Sequence, residues 1–402
     1  MPTTVPGSEI ARRLSAVQSA MRSASPPLDV LIVVQKADLY WLSGTVQECH
    51  LIVPAEGDPR LLVRKVLERA EEDSPLEDVK PMKSLRELES HVREVAGAPP
   101  WRIAMELDVL PVNAFRSYEK RFDATVEWSD ASPLLTRLRG VKSDWEIERI
   151  RSSGAVHAEL FARVPEILAR SSSTFDLQTT LDKIACDLGH CGLIRMRGLD
   201  VECATGLVVS GREGAMPSHS MFPIGGRGTH AWAPTGGTRS PIERDVPIAM
   251  DYLVCREAYY ADCTRMAVLG RFPPEAERIF AAIRETIRAC EAMLRPGIAP
   301  SAIYERATEL ARELGIGDGF MGPPGFAVRF VGHGIGLEVN ETPVLAPGFD
   351  EPIVAGNVFA VEPKFTHPTL GVIGLENTYV VRESGAELLT PASEEPYIAN
   401  GG

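Results

Sequence analysis

The segment Pro247–Gly270, PIAMDYLVCREAYYADCTRMAVLG, decides how the rest of the chain is read. Two runs of β-branched and aromatic residues flank the polar pair Arg256-Glu257. With that pair at the tip of a hairpin, partner numbers add to 513 and Asp251 stands directly opposite Asp262. Directly opposed side chains have Cβ atoms about 4.5–5.5 Å apart. Two carboxylates at that spacing repel, and burying them unpaired costs several kcal/mol. Aspartate is also a poor strand former. The hairpin therefore calls for something cationic between its acids.

The same pattern returns in Val358–Val381, VFAVEPKFTHPTLGVIGLENTYVV. With the turn at Pro368-Thr369-Leu370, partner numbers add to 738 and Glu362 faces Glu376. Between the hairpins lies FVGHGIGLEVNETP, residues 330–343, where Gly332 and Gly334 flank His333 and permit close approach of the backbone. One imidazole and four carboxylates form a hard, oxygen-rich donor set, which favours Mn²⁺, Fe²⁺ or Co²⁺ and permits Zn²⁺. Thiolates are missing from it, so a structural zinc site is not indicated. Bridging carboxylates can hold two ions about 3.5–4 Å apart, generating a hydroxide nucleophile for hydrolysis. Glu362 is the candidate proton shuttle among the ligands.

Taken in order, Asp251, Asp262, His333, Glu362 and Glu376 resemble the five-ligand signature of the pita-bread metallohydrolases, which include methionine aminopeptidase, aminopeptidase P, prolidase and creatinase. The likeness runs from LRGVKSDWEIERIR (138–151) through YYADCTR and GHGIGLEVNETP to VFAVEPKF and GLENTYVV. The segments YWLSG (40–44) and MELDVL (105–110) resemble the extra N-terminal domain of the prolidase and creatinase branch. The resemblance implies an α/β two-domain chain. A small creatinase-like α/β domain over 1–138 precedes a pita-bread α+β catalytic domain with a curved antiparallel sheet over 139–402. It further implies two divalent ions, with Mn²⁺ favoured, cleavage of short peptides of the Xaa-Pro type, and a homodimer.

Departures from the family pattern bear on the substrate. Where the peptidases carry a second histidine, seven residues after the first, this chain has Asn340. An asparagine donates a hydrogen bond but cannot shuttle a proton. Where an arginine often stands two residues before the last glutamate, this chain has Gly374, removing a group that orients carboxylates. A further catalytic histidine matches either His219, in VSGREGAMPSHS, by local motif, or His230, in GTHAWAP, by its distance from Asp251. Glu338 and Glu341 flank Asn340, and Glu341 reads as a turn or supporting group. Arg265 reads as a structural ion-pair partner. The loop 211–241, with Met216, Met221, Phe222 and Trp232, reads as a lid, an apolar pocket or interdomain packing. These departures keep a second reading open, a hydrolase or lyase of small non-peptide molecules, and a third, an inactive binding module.

Bulk properties agree with a globular enzyme. The chain has 402 residues, enough for two domains, with 44% hydrophobic and 24% charged residues. A formal net charge of -13 argues against a nucleic-acid partner. Neither a membrane-spanning run nor a secretory signal is evident, and the seven cysteines lack C-x-x-C spacing, so the expected location is the cytoplasm.

Element patterns follow the two-domain division. Residues 8–24 read as an amphipathic helix. Val30–Val34, Leu39–Leu42, Leu51–Val53 and Leu61–Val63 read as strands, and strands and helices alternate up to about residue 135. Ser143 and Glu146 form a capping-box pattern at the head of a long helix.

Overall fold

A computed structural model describes residues 4–123, 125–199, 202–219 and 222–400. The chain divides into two compact units, residues 1–139 with 198–200, and residues 140–197 with 201–402.

The first unit is a six-stranded mixed sheet. Its strands are β1 (Val30–Val33), β2 (Cys49–Pro54), β3 (Arg60–Val63), β4 (Val79–Pro81), β5 (Trp101–Met105) and β6 (Val126–Asp130), in the order β4-β3-β2-β1-β5-β6. Every residue of β1, β2 and β3 is buried, as expected where both faces of a sheet are covered. One face, which includes Trp101 of β5, packs on Leu88 and Val92 of the helix Leu88–Ala96. The helices Gly7–Ser23 and Lys36–Ser43 also pack against this sheet. The second of these corrects the sequence reading, which has a strand at Leu39–Leu42. The Gln35 side chain accepts from the amides of Ala37 and Asp38 at 2.7 and 2.9 Å, starting a helix, and Gly44 ends it at φ 80°. A four-residue apolar run does not by itself separate the two alternatives.

Among the described residues the second unit contains three sheets. Its strands are β7 (Gly206–Ser210), β8 (Ile248–Arg256), β9 (Tyr259–Leu269), β10 (Gly332–Gly334), β11 (Glu341–Val344), β12 (Val358–Val361), β13 (Lys364–His367), β14 (Gly371–Gly374), β15 (Asn377–Arg382), β16 (Gly385–Leu388) and β17 (Tyr397–Ala399). They pair as β17-β9-β8-β7, as β11-β10-β12-β15-β16, and as the ribbon β13-β14. All pairings are antiparallel except β17 with β9.

Helices Asp144–Ala162 and Thr174–Asp187 pack on the first of these sheets, burying Leu160, Phe161, Leu177 and Leu181. Pro274–Met293 and Pro300–Glu313 pack on each other, and the first of them covers the ribbon and β16. Ser143 heads the Asp144–Ala162 helix with a complete capping box.

Candidate metal centre

The β8–β9 hairpin turns at Glu257-Ala258, both in the left-handed region (φ 54° and 74°), one residue later than the sequence reading places it. Asp251 therefore pairs with Thr264, and Asp262 pairs with Leu253. Because strand side chains alternate with period two, this two-residue shift in pairing leaves both aspartates on the same face, as diagonal neighbours.

The second acid pair follows the register read from the sequence. Val361 pairs with Asn377 and Lys364 with Gly374, so Glu362 and Glu376 stand opposite each other. They sit at the break where the chain leaves the β12–β15 sheet for the β13–β14 ribbon. His333 comes from β10, beside Ala360 of β12.

These five side chains converge into two overlapping groups. Asp262, His333 and Glu376 bring ligand atoms within 4.8 Å of one another, and so do Asp251, Glu362 and Glu376. His333 Nε2 lies 3.9 Å from Asp262 Oδ2 and 3.6 Å from Glu362 Oε1. Asp262, Glu362 and Glu376 are buried, and Glu376 Oε1 has no hydrogen-bond partner among the described residues. A buried carboxylate oxygen left bare beside an imidazole and a second acid fits a divalent ion at the first group.

The second group contains a cation of the chain's own. Lys364 is fully buried, and its Nζ bonds Glu362 Oε2 and lies 3.1 Å from Glu376 Oε2 and 3.3 Å from Asp251 Oδ2. The sequence reading asks for positive charge between the acids and assigns it wholly to metal, but an ammonium takes part of that role. Burial works against the charged lysine, yet Asp251, Glu362 and Glu376 together hold its pKa well above the ordinary value. Burial first, then repulsion from Glu376 and Asp251, pushes Asp262 well above the carboxylate range. Burial raises Glu362 to about 6 against the pull of Lys364.

Threonines and an arginine hold the ligands in place. Thr264 Oγ1 donates to Glu376 Oε2 at 2.7 Å. Thr378 Oγ1 receives the Asp262 amide and donates to the Asp262 carbonyl. Arg265, completely buried, donates to the carbonyls of Thr264, Glu376, Ala392 and Ser393 and to Asn377 Oδ1. Its recorded partners are neutral, so the expected ion pair is replaced by a clamp on backbone oxygens. Glu341 accepts from the amides of Leu337 and Glu338 and pairs with buried Lys142 at 2.9 Å. It organises the turn that follows His333.

The remaining predicted residues lie differently. The Asn340 side chain is exposed and exchanges two 2.9 Å hydrogen bonds with the backbone of Arg197. His219 and His230 are both exposed. The first contacts Ser218, and the second receives the Trp232 amide within its own turn. In the 211–241 loop, Met216 and Trp232 are exposed and Phe222 packs on the core, while Met221 lies outside the described residues. Lys364 and Thr264 are the site residues that sequence reasoning misses. The available signal for Lys364 is its position opposite Gly374 in the register that pairs Glu362 with Glu376.

Four carboxylates and an imidazole, carried by β8, β9, β10 and the strand breaks at Glu362 and Glu376, define the centre of a metallohydrolase. The chain belongs to metallopeptidase family M24, which matches residues 148–383, and residues 13–141 match the creatinase/prolidase N-terminal domain. It is 28% identical over 257 residues to a probable dipeptidase PepE of Mycobacterium tuberculosis, a match covering 64% of this chain and 60% of that protein. It is 24% identical over 377 residues to an Xaa-Pro dipeptidase of Pyrococcus furiosus, covering 92% and 95%. The solved Xaa-Pro dipeptidase from Bacillus anthracis shares the fold, with TM-score 0.81 and 19% identity over 97% of this chain and 99% of that one. The expected two-domain α/β architecture, with a creatinase-like N-terminal domain and a family M24 catalytic domain, is the one found.

Proposed function

We propose that the chain is a metal-dependent hydrolase of short peptides, with Xaa-Pro dipeptides as the first substrate class to test. The observation that carries this reading is the convergence of Asp262, His333 and Glu376, with the bare Glu376 Oε1 buried among them. A divalent ion held there supplies Lewis acidity, activating water and polarising a carbonyl. Manganese or cobalt suits the oxygen-rich donors better than zinc. Glu362 faces His333 with one oxygen while Lys364 holds the other. A carboxyl raised toward neutrality in that position is suited to take a proton from water and return it to the leaving amine. The experiment is proline release from Xaa-Pro dipeptides, abolished by chelation and restored by Mn²⁺ or Co²⁺. Absence of turnover across a broad peptide panel removes the reading.

A second reading keeps the metal and changes the substrate to a small amide. It is favoured by Asn340, whose amide is tied to the Arg197 backbone, and by Gly374, which carries no charge toward a substrate carboxylate. Hydrolysis of small amides by metal-loaded protein that leaves dipeptides intact would select it.

A further inference from the structure

We propose that Lys364 takes the place of one of the two metal ions, so that this centre binds a single divalent ion. The inference rests on the metal-dependent reading above and specifies the form of its site.

Position supports it first. The three acids contacted by Lys364 Nζ, namely Asp251, Glu362 and Glu376, are the same three that compose the second candidate ligand group. An ion coordinated by them would have to occupy the space of the ammonium. Among the described residues, no such cation bridges the first group, Asp262, His333 and Glu376, and its unpaired oxygen is the one Lys364 leaves unused: Nζ approaches Oε2 of Glu376, and Oε1 stays bare.

The opposite strand supplies an independent observation. The family resemblance implies an arginine at position 374, and Lys364 is its direct cross-strand partner. Here position 374 is glycine, and a Cβ there would lie 2.5 Å from Lys364 Cγ and 3.2 Å from its Cβ. Glycine thus gives the lysine stem the room it needs to run inward. The cation expected on β14 is carried by β13 instead, and it points into the carboxylates.

Charge balance agrees. Two divalent ions neutralise four carboxylates, whereas one ion and one ammonium leave a single negative charge. An ammonium is also fixed to the chain, so chelators and dilution cannot remove it, and it offers no open coordination position to a substrate.

The test is ion stoichiometry by elemental analysis after reconstitution with excess Mn²⁺ and desalting. One ion per chain is expected for the wild type and two for Lys364→Gly. Addition of Asp251→Asn to Lys364→Gly should return the count to one. Electron paramagnetic resonance of the Mn²⁺-loaded wild type needs no variant to fold, and should give the spectrum of an isolated ion without exchange coupling. Two ions or a coupled pair in the wild type would overturn the proposal while leaving the hydrolase reading intact. A count of one in folded Lys364→Gly would also overturn it. An empty wild-type centre would instead overturn the metal-dependent reading, and this proposal with it.

Discussion

Lys364 and Gly374 face each other across the β13–β14 ribbon, and the lysine side chain passes through the space a Cβ on residue 374 would fill. Gly374→Ala should therefore cost stability through overpacking, about 1–3 kcal/mol, by displacing the lysine stem. Urea denaturation measures the loss. The double variant Lys364→Gly with Gly374→Ala removes the clashing atoms, so the penalty of the alanine should largely vanish in that background. An equal penalty in both backgrounds would mean that the glycine serves some other purpose.

Thr264 stands opposite Asp251 and spends its hydroxyl on Glu376 Oε2. Thr264→Val keeps the shape and removes the donor. Loss of such a supporting hydrogen bond typically lowers metal affinity about 10–100-fold. Isothermal titration with Mn²⁺ should detect this weakening, with the fold intact by circular dichroism. Unchanged affinity would reduce Thr264 to a packing residue.

The amount of this centre that is legible in the sequence follows from cost. Aspartates and glutamates inside apolar runs of sequence are expensive to bury, so Asp251, Asp262, Glu362 and Glu376 stand out without any structure. The 368–370 turn fixes the second register fully. The first is misplaced by one turn residue, because Glu257-Ala258 adopts positive φ without the Gly or Asn that usually announces it. The period of two nevertheless preserves the face. Lys364 stays hidden for a different reason: a lysine in a strand ordinarily reads as a solvated edge residue. Only its register with Gly374 turns it inward. The Lys142–Glu341 pair joins residues nearly two hundred positions apart, and no local pattern encodes it.

Arg265 is a harsher test of the scaffold. Its guanidinium reaches five oxygens, including the Glu376 carbonyl at 2.6 Å, and none of it is exposed. Arg265→Met takes a charged donor from all five acceptors. Thr264, Asn377 and Ser393 keep a second donor, in the Glu376 amide, the Thr390 hydroxyl and the Tyr397 hydroxyl, whereas each group left unsatisfied costs about 1–3 kcal/mol. A total loss of at least about 3 kcal/mol is expected in denaturant unfolding. Arg265→Lys should recover little of it, because an ammonium cannot reproduce the planar fork. Full recovery by lysine would show that charge, and not the geometry of the clamp, is what matters.

His157 gives the protein a predictable acid sensitivity. It is wholly buried in the Asp144–Ala162 helix, where Nε2 donates to the Tyr252 carbonyl at 2.8 Å. Burial pushes its pKa down from 6.5 to about 4. Above pH 6.5 the ring is neutral in both folded and unfolded chains, and stability is undiminished by it. Between 6.5 and 4 the unfolded chain takes up a proton that the folded chain refuses, so stability falls as the pH falls. A shift of this size corresponds to about 3 kcal/mol once the pH is below both values. His50, in the first unit, is also held at about 4 by burial, so whole-protein melting would mix the two effects. Hydrogen exchange of the 144–162 helix separates them. Its protection should decline between pH 6.5 and 4.5 after correction for intrinsic exchange, and His157→Gln should flatten that decline even if it lowers the starting value. Parallel slopes for wild type and variant would mean that the acid sensitivity of this helix originates elsewhere.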